Sequence, residues 1–241
     1  MAEQPVATVV SDQYRQPLPQ VPLPEHGRGP AVIFIGGFGD EISRIIPHTM
    51  LRVPPLTNDP ETRAYYHWHA GCPDNVEQGA TVICKHIAIY RRKNPGADVI
   101  LIGHSMGASM ALRVAHLLNP ADGNVYIITL DPADRGFTPM RPATVIWWGN
   151  AYVVNSLSRH DYIAVMGGRW NMCRQADVNL CFDGRQRDEE GYYYIHDNAL
   201  SLLLSRGGSK SVSLYDLLSN ALITKGSANN RGAEESTGKP Q

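Results

Sequence analysis

The residues from Asp98 to Leu118 read DVILIGHSMGASMALRVAHLL, a sequence that predicts a strand, a sharp turn and a helix. Asp98–Gly103 is a short apolar run of the kind that forms a strand buried on both faces. Met106–Leu118 has the composition of a helix, and Asn119-Pro120 ends it. The segment therefore predicts one strand–helix unit of a layered α/β domain.

The turn of this unit, Gly103-His104-Ser105-Met106-Gly107, fits the pattern G-x-S-x-G. That spacing suits a serine on a strained turn, because glycines two residues before and after it let neighbouring backbone pack closely. The N-terminus of the following helix directs free N–H groups and partial positive charge toward the serine. The pattern favours Ser105 as a nucleophile. A glycine-rich turn with a buried serine is the alternative.

Strand-like and helix-like segments alternate on both sides of this unit. The strand-like runs are short and apolar, and the long helical segment carries an apolar stripe. The alternation predicts an α/β fold with a mainly parallel central sheet covered by helices on both faces. The other predicted strands are Ala31–Ile35, Arg63–His67, Val125–Leu130, Thr144–Trp148, Tyr162–Met166, Val178–Phe182 and Tyr192–Ile195, and the other predicted helices are Asn75–Lys93 and Asp197–Ser205.

The length and the two ends of the chain predict one domain with an extension on either side. A chain of 241 residues can bury one substantial core. Residues 1–30 are rich in proline and lack periodicity, so we expect an extended arm laid over the domain. Residues 31–224 form the predicted α/β domain. Residues 225–241 contain almost nothing apolar, and we expect a disordered tail.

Charge and hydropathy exclude some classes of function. With 22 basic and 23 acidic side chains the formal net charge is -1, so there is no basic field to hold a nucleic-acid backbone. No apolar run approaches the roughly 20 residues that a membrane-spanning helix needs. Residues 1–20 show no secretory signal, and we expect a cytoplasmic location by default. Export by a signal-independent route would leave the same sequence.

Two histidines are candidates for the general base that a serine nucleophile needs. In hydrolases built on this strand–turn–helix unit the chain order is serine, acid, histidine. Only His160 and His196 follow both Ser105 and the first suitable acid. His196 directly follows the predicted strand Tyr192–Ile195, and sites form where strands end, so we favour His196. His160 lies in a polar loop, where a surface histidine is common.

Asp131 is the favoured acid, because it ends the predicted strand Val125–Leu130 and Pro132 keeps it at the strand tip. Most hydrolases of this architecture place the acid one strand later. Asp134 belongs to an Asp-Arg-Gly turn. Three later carboxylates around further candidate strands remain competitors: Asp161, Asp177 and Asp183.

The oxyanion that forms on the substrate needs two amide donors. One is the amide of Met106, the residue after the nucleophile, and the other comes from the loop after an early strand. Gly36-Gly37-Phe38-Gly39 is the segment of that form, and we predict Phe38 as the second donor. A tight strand–helix turn with Asp40 as N-cap is compatible with the same residues.

Two weaker patterns do not support a cofactor or a metal ion. Tyr65, His67 and His69 would share a strand face near Cys72, but a zinc site needs three or four ligands that can be placed together. The loop Gly36–Gly39 lacks the third glycine of a dinucleotide-binding fingerprint. We therefore predict neither a metal nor a cofactor.

The sequence resembles the lipases and phospholipases of the pancreatic-lipase kind, and α/β-hydrolase lipases more broadly. The resemblance lies in Ile35-Gly36-Gly37-Phe38, in Gly103–Ala108 and in Ile128-Thr129-Leu130-Asp131-Pro132-Ala133. These stretches are similar to that family's oxyanion loop, its Gly-His-Ser-Leu-Gly-Ala turn and its Leu-Asp-Pro-Ala acid segment. The resemblance implies Phe38 and Met106 as oxyanion donors, Asp131 as acid and His196 as base.

Together these residues predict a serine hydrolase that cleaves carboxylic esters, as a lipase, phospholipase or esterase. The expected partner is a lipid or another acyl ester, with transient membrane contact. Four aromatic residues are candidates for an acyl pocket or for the core: Phe137, Trp147, Trp148 and Trp170. The alternatives are a thioesterase or amidase with the same triad, a secreted antibacterial lipase effector, and a non-catalytic binding protein on this fold.

Overall fold

The structure is a computed structural model, and it describes residues 17–57, 60–68, 74–156, 158–207 and 211–224. Within these ranges six parallel strands form one sheet in the order β2-β1-β3-β4-β5-β6. The parallel sheet predicted from the sequence is confirmed. The strands are β1 (Ala31–Gly36), β2 (Thr62–His67), β3 (Val99–His104), β4 (Val125–Leu130), β5 (Val145–Val154) and β6 (Val178–Asp183).

Helices cover both faces of this sheet. Helices α3 and α4 pack over one face, while α2, α6 and α7 pack over the other. In the described ranges the α-helices are α1 (Asp40–Ser43), α2 (Ile45–Arg52), α3 (Asp74–Lys93), α4 (Met106–Leu117), α5 (Arg159–Met166), α6 (Ala199–Leu204) and α7 (residues 214–224).

Three of the four inner strands, β1, β3 and β4, are buried along their whole length. In β1, Ile33 and Ile35 point into the core beneath α3 and α4, while Val32 and Phe34 point into the opposite core. A strand that has neighbours on both edges and helices on both faces has no side that favours polar residues. The continuous apolar runs in the sequence follow from this arrangement.

Two predicted strands are wrong. Residues 162–166 belong to helix α5, which turns Asp161 and Ala164 inward and leaves apolar side chains exposed. Residues 192–195 form an irregular loop, tied by a single antiparallel bridge between Arg187 and Tyr193. Both segments are rich in aromatic or β-branched residues, so local propensity favoured strands that tertiary contacts overrode.

The order in which strands are added to the sheet reverses between β1 and β3. From β1 the chain moves outward to β2, and it then returns past β1 to add β3, β4, β5 and β6 on the other side. The carboxyl ends of strands at such a switch point form a crevice, because the loops leave in opposite directions. The loop after β1 and the loop after β3 therefore meet at one edge of the sheet.

The described part of the proline-rich segment runs along this sheet. Val21 forms an antiparallel bridge with Tyr65, and the N–H of the buried Leu23 donates to the Tyr66 hydroxyl at 2.9 Å. Residues 1–16 of the expected arm and 225–241 of the expected tail lie outside the described residues. No helix in the described ranges is both long enough and apolar enough to cross a bilayer.

Candidate active site

Ser105 sits on the strained turn between β3 and α4. Its backbone has φ 55° and ψ -127°, a conformation that residues other than glycine rarely adopt. Three hydrogen bonds hold the turn in place: the Ser105 N–H donates to the Leu130 carbonyl at 3.1 Å, and the Ser105 carbonyl accepts the Ala108 N–H at 3.1 Å and the Ala133 N–H at 3.3 Å. The turn presents the Ser105 hydroxyl at the carboxyl end of the sheet.

The two glycines of the motif allow β1, β3 and α4 to approach closely. A Cβ on Gly103 would lie 2.4 Å from the Gly107 carbonyl oxygen. A Cβ on Gly107 would lie 2.1 Å from the Ile35 carbonyl oxygen. Any side chain at either position would separate the turn from the strands that support it. The G-x-S-x-G spacing is thus required by the packing of the backbone.

A chain of hydrogen bonds joins Ser105, His196 and Asp131. Nε2 of His196 lies 3.0 Å from the Ser105 Oγ, and Nδ1 lies 2.7 Å from Oδ2 of Asp131. A carboxylate accepts hydrogen bonds, so Nδ1 carries the proton and Nε2 presents its lone pair to the serine hydroxyl. The three residues predicted as nucleophile, base and acid are therefore brought together in the order that proton transfer requires.

Asp131 is fully buried, and three donors surround its carboxylate. Oδ2 accepts from His196 and from Nη2 of Arg169 at 2.8 Å, while Oδ1 accepts the Val153 N–H at 3.0 Å. Burial alone would raise the pKa of Asp131, but the hydrogen bond and charge of His196, the Arg169 guanidinium and the Val153 N–H outweigh it and lower that pKa. The carboxylate is thus held ionised beside the imidazole.

His104, the residue before the serine, contacts both the ring and the backbone of His196. Its ring packs against the His196 ring with 4.7 Å between centroids, and its Nε2 donates to the His196 carbonyl at 2.7 Å. Burial, followed by the neighbouring His196, lowers the pKa of His104 to about 3. His104 is therefore a neutral donor that anchors the backbone of His196.

The glycine-rich loop after β1 lies against Ser105. A Cβ on Gly37 would lie 2.7 Å from the Ser105 Cβ and 3.1 Å from the Met106 nitrogen. Within the described residues, neither the Phe38 N–H nor the Met106 N–H donates to a protein acceptor. Both amides are thus without a protein acceptor in the described ranges, and that of Met106 directly follows the serine in the chain. The Phe38 side chain is 61% exposed and packs near Trp68.

The sequence suggested Asp40 as the N-cap of the first helix, but its side chain does not cap α1. The buried carboxylate instead accepts the Ile46 N–H of α2 at 3.1 Å and the Tyr65 hydroxyl at 2.8 Å. It links the loop after β1 to α2 and to β2. This link stabilises the segment that carries Phe38.

The competing acids do not contact the His196 ring. Asp161, in α5, accepts the backbone N–H of His196 at 3.1 Å. Asp177 bonds Arg141 and the Trp148 amide, and Asp183 bonds Arg185. Asp134 accepts the Gly136 N–H, as expected for a turn.

His160, the alternative base, lies in α5, but its side chain is outside the described residues, as are His69 and Cys72. In the described ranges, no group of three or more His, Cys, Asp or Glu side chains is arranged to hold a metal ion.

A cavity of about 900 Å³ lies beside the loop that carries His196. Its walls include Ile195 and Asp197, the two chain neighbours of His196, together with His48 and Arg52 of α2. Among the described residues, Ser105 and the four expected aromatic side chains are not part of its walls. Trp148 and Trp170 are buried in the core under α3 and α4, so they do not form an acyl pocket.

A parallel sheet of this order, with a serine on the turn after β3, defines the class of α/β hydrolases. The chain belongs to that class, because the sequence model of the alpha/beta hydrolase family matches residues 16–208. A similar solved structure is that of a candidate cell surface hydrolase from Lactobacillus plantarum WCFS1. It is 11% identical, with a TM-score of 0.42, over 66% of this chain and 82% of that chain. No curated protein matches the sequence significantly.

Sequence reasoning missed two side chains that contact the site, His104 and Arg169. The proximity of His104 to Ser105 in the chain is a signal that could have identified it, because a residue next to the turn has to face some part of the site. Arg169 had no such signal, since Asp131 lies 38 positions away and no pattern in the sequence links Arg169 to Asp161.

Proposed function

We propose that the protein hydrolyses carboxylic esters, and that lipids are its substrate class. Ser105 is the nucleophile, His196 the general base and Asp131 the acid. The observation that carries the proposal is the continuous chain of hydrogen bonds from Ser105 through His196 to a buried, ionised Asp131. A serine hydroxyl is inert unless a base is positioned to take its proton, and this arrangement supports that transfer.

The reaction proceeds through a covalent acyl-enzyme. Nε2 of His196 takes the hydroxyl proton as the Ser105 oxygen attacks the ester carbonyl carbon. The amides of Met106 and Phe38 donate to the oxyanion of the tetrahedral intermediate. The imidazolium then protonates the departing alcohol. Water, deprotonated by the same imidazole, attacks the acyl-enzyme and releases the carboxylic acid, while Asp131 stabilises the imidazolium throughout.

An apolar surface beside the site supports a lipid substrate. Asp161 and Ala164 of α5 point inward, and the outward side chains are exposed by 53–66%. These outward side chains are Tyr162, Ile163, Val165 and Met166. A surface helix normally turns its apolar residues toward the core, and an exposed apolar patch usually marks a contact site. Because Asp161 bonds the His196 backbone, the inward face of α5 borders the triad, and the apolar patch lies on the exposed face of the same helix.

The substrate class can be tested by comparing aggregated and soluble esters with the variant Ile163→Asp. Fully burying an isoleucine contributes about 1.5–3 kcal/mol, so the loss of this contact should reduce binding to a lipid surface by about tenfold or more. We expect Ile163→Asp to hydrolyse triglyceride emulsions and phospholipid vesicles about tenfold more slowly. Hydrolysis of soluble p-nitrophenyl butyrate should remain unchanged, because the triad is untouched.

Ile223→Asp is the matched control, since Ile223 is 60% exposed on α7. It should leave both activities unchanged, and Ser105→Ala should remove both. Preferential cleavage of acetate and butyrate esters, with no hydrolysis of lipids, would contradict a lipase and indicate a small-molecule esterase. Faster cleavage of acyl thioesters would instead indicate a thioesterase.

The position of Gly37 predicts a strong effect of a single methyl group. In Gly37→Ala the new Cβ would push against Ser105 and the Met106 amide, at the distances given above. A displacement of about 1 Å at a reacting group can cost on the order of 10²-fold in rate, and we expect such a loss in kcat/KM for a p-nitrophenyl ester. In Gly136→Ala the nearest atom is 3.8 Å away, so this control should keep full activity. Full activity in Gly37→Ala would contradict the oxyanion assignment.

A further inference from the structure

Arg169 lies between two buried carboxylates at the edge of the candidate triad. Its Nη2 donates to Oδ2 of Asp131 at 2.8 Å and also to Oδ1 of Asp161. The side chains are 10% exposed for Arg169, 0% for Asp131 and 4% for Asp161. Charges buried to this degree are weakly screened, so their mutual effects are larger than those of a surface ion pair.

Asp161 also contacts the backbone of His196. Its Oδ1 accepts the His196 N–H at 3.1 Å, and its Oδ2 accepts the Ser156 hydroxyl. The His196 carbonyl accepts a hydrogen bond from the His104 ring. The two backbone groups of His196 are thus each held by a buried side chain from a different element, one from α5 and one from β3. This arrangement limits how far the imidazole can move relative to Ser105.

We propose that Arg169 and Asp161 form a positioning pair that holds His196 in place and sets the proton affinity of its imidazole through Asp131. This inference rests on the proposed function, in which His196 is the general base. Arg169 shares Oδ2 of Asp131 with the His196 ring, so the guanidinium competes with the imidazolium for the same negative charge. Asp161 offsets the guanidinium and moderates this competition.

The sign of each substitution follows from the net charge beside His196. Asp131, Asp161 and Arg169 together carry one net negative charge. Without Arg169 the two carboxylates face the imidazole uncompensated, and its protonation becomes more favourable. Without the Asp161 charge the guanidinium pairs with Asp131 alone, and protonation of the His196 imidazole becomes less favourable. Removing both charges restores one net negative charge.

Among the described residues, the other groups that contact the His196 ring carry no competing charge. His104 packs against its ring and stays neutral, because its pKa is lowered to about 3. The Ser105 hydroxyl lies at the opposite ring nitrogen from Asp131. The two substitutions therefore act on the imidazole mainly through Asp131 and Asp161.

The test measures how fast a fluorophosphonate probe labels Ser105 at each pH between 5 and 9. Labelling needs an unprotonated base but no knowledge of the natural substrate. A charge change at this range shifts a titration by about 1 unit or more. We expect the acidic midpoint of the profile to rise by about 1 pH unit in Arg169→Met and to fall by about 1 pH unit in Asp161→Asn. The double variant should return close to the original midpoint.

Arg141→Met is the control, because Arg141 forms an arginine–aspartate ion pair with Asp177, more exposed than the Arg169 pairs, next to the start of β5 and away from the triad. Its midpoint should not move. Asp161→Asn keeps the shape of the side chain, so it remains informative if Arg169→Met does not fold. Normal labelling of Ser105 with unshifted midpoints in both variants would overturn the positioning pair and leave the proposed function intact. Absence of Ser105 labelling in the unmodified protein would overturn the proposed function itself.

Discussion

Replacing Ser105 by alanine is expected to reduce ester hydrolysis on the order of 10⁶-fold, because the acyl-enzyme can no longer form. A fluorophosphonate probe should label the unmodified protein at Ser105 and should leave Ser105→Ala unlabelled. The fold should be retained, since in the described part of the chain the Ser105 hydroxyl hydrogen-bonds only to the His196 imidazole. The peptide that carries the label can be identified by mass spectrometry.

Ser109→Ala is the control for this experiment. Ser109 lies in α4, the helix that follows Ser105, is buried, and donates its hydroxyl proton to the Met106 carbonyl at 2.8 Å. Its loss should leave both labelling and hydrolysis unchanged. Labelling that survives in Ser105→Ala would exclude Ser105 as the nucleophile and would indicate that another side chain reacts with the probe.

The central part of the fold was predictable because its signals are local. Strands β1, β3 and β4 are continuous apolar runs, and a glycine or proline such as Gly103 or Pro132 lies at or just after the end of each. Helix α4 begins at Met106 and ends at Leu117, within one residue of the predicted Met106–Leu118. Sequences of this kind leave little choice between strand and helix, so neighbouring elements could be placed in order.

The later part of the chain was less predictable because tertiary contacts determine its structure. Strand β5 continues to Val154 through a Gly149-Asn150 pair that resembles a turn. The buried Asn150 is tolerated because it bonds Thr129 at 2.8 Å and Asn179 at 2.9 Å. These partners lie on neighbouring strands, and no local sequence pattern predicts them. The same limitation explains why α5, with its exposed apolar face, resembled a strand.

His196 lies next to Ser105 in the structure, but not for the reason that the sequence suggested. His196 was expected at the end of a strand, whereas it follows an irregular loop and precedes α6, which begins at Ala199. Its position is fixed by Asp161 and His104, which hold its backbone from two sides. Contacts of this kind span 35 and 92 positions along the chain, so the sequence alone could not reveal them.

Replacing Asp131 by asparagine is expected to lower kcat on the order of 10⁴-fold, with a much smaller effect on KM. An asparagine amide can donate a hydrogen bond to Nδ1, which favours the tautomer with its proton on Nε2. In that tautomer the imidazole cannot accept the Ser105 proton, although the geometry of the site is preserved. The buried amide also removes the charge that stabilises the imidazolium and the partner of Arg169.

The decisive comparison sets Asp131→Asn against Asp161→Asn, Asp177→Asn and Asp183→Asn, with folding checked by circular dichroism. Asp161 is the informative rival, because it follows β5, where most hydrolases of this architecture carry the acid. Its carboxylate bonds the His196 backbone and Arg169 but not the ring, so Asp161→Asn should shift the pH profile while keeping activity at its optimum within about tenfold. Asp177 and Asp183 bond Arg141 and Arg185, and their loss should leave kcat unchanged. If Asp131→Asn keeps near-full activity and Asp161→Asn loses it, the acid belongs to the segment after β5, and Asp131 only supports it.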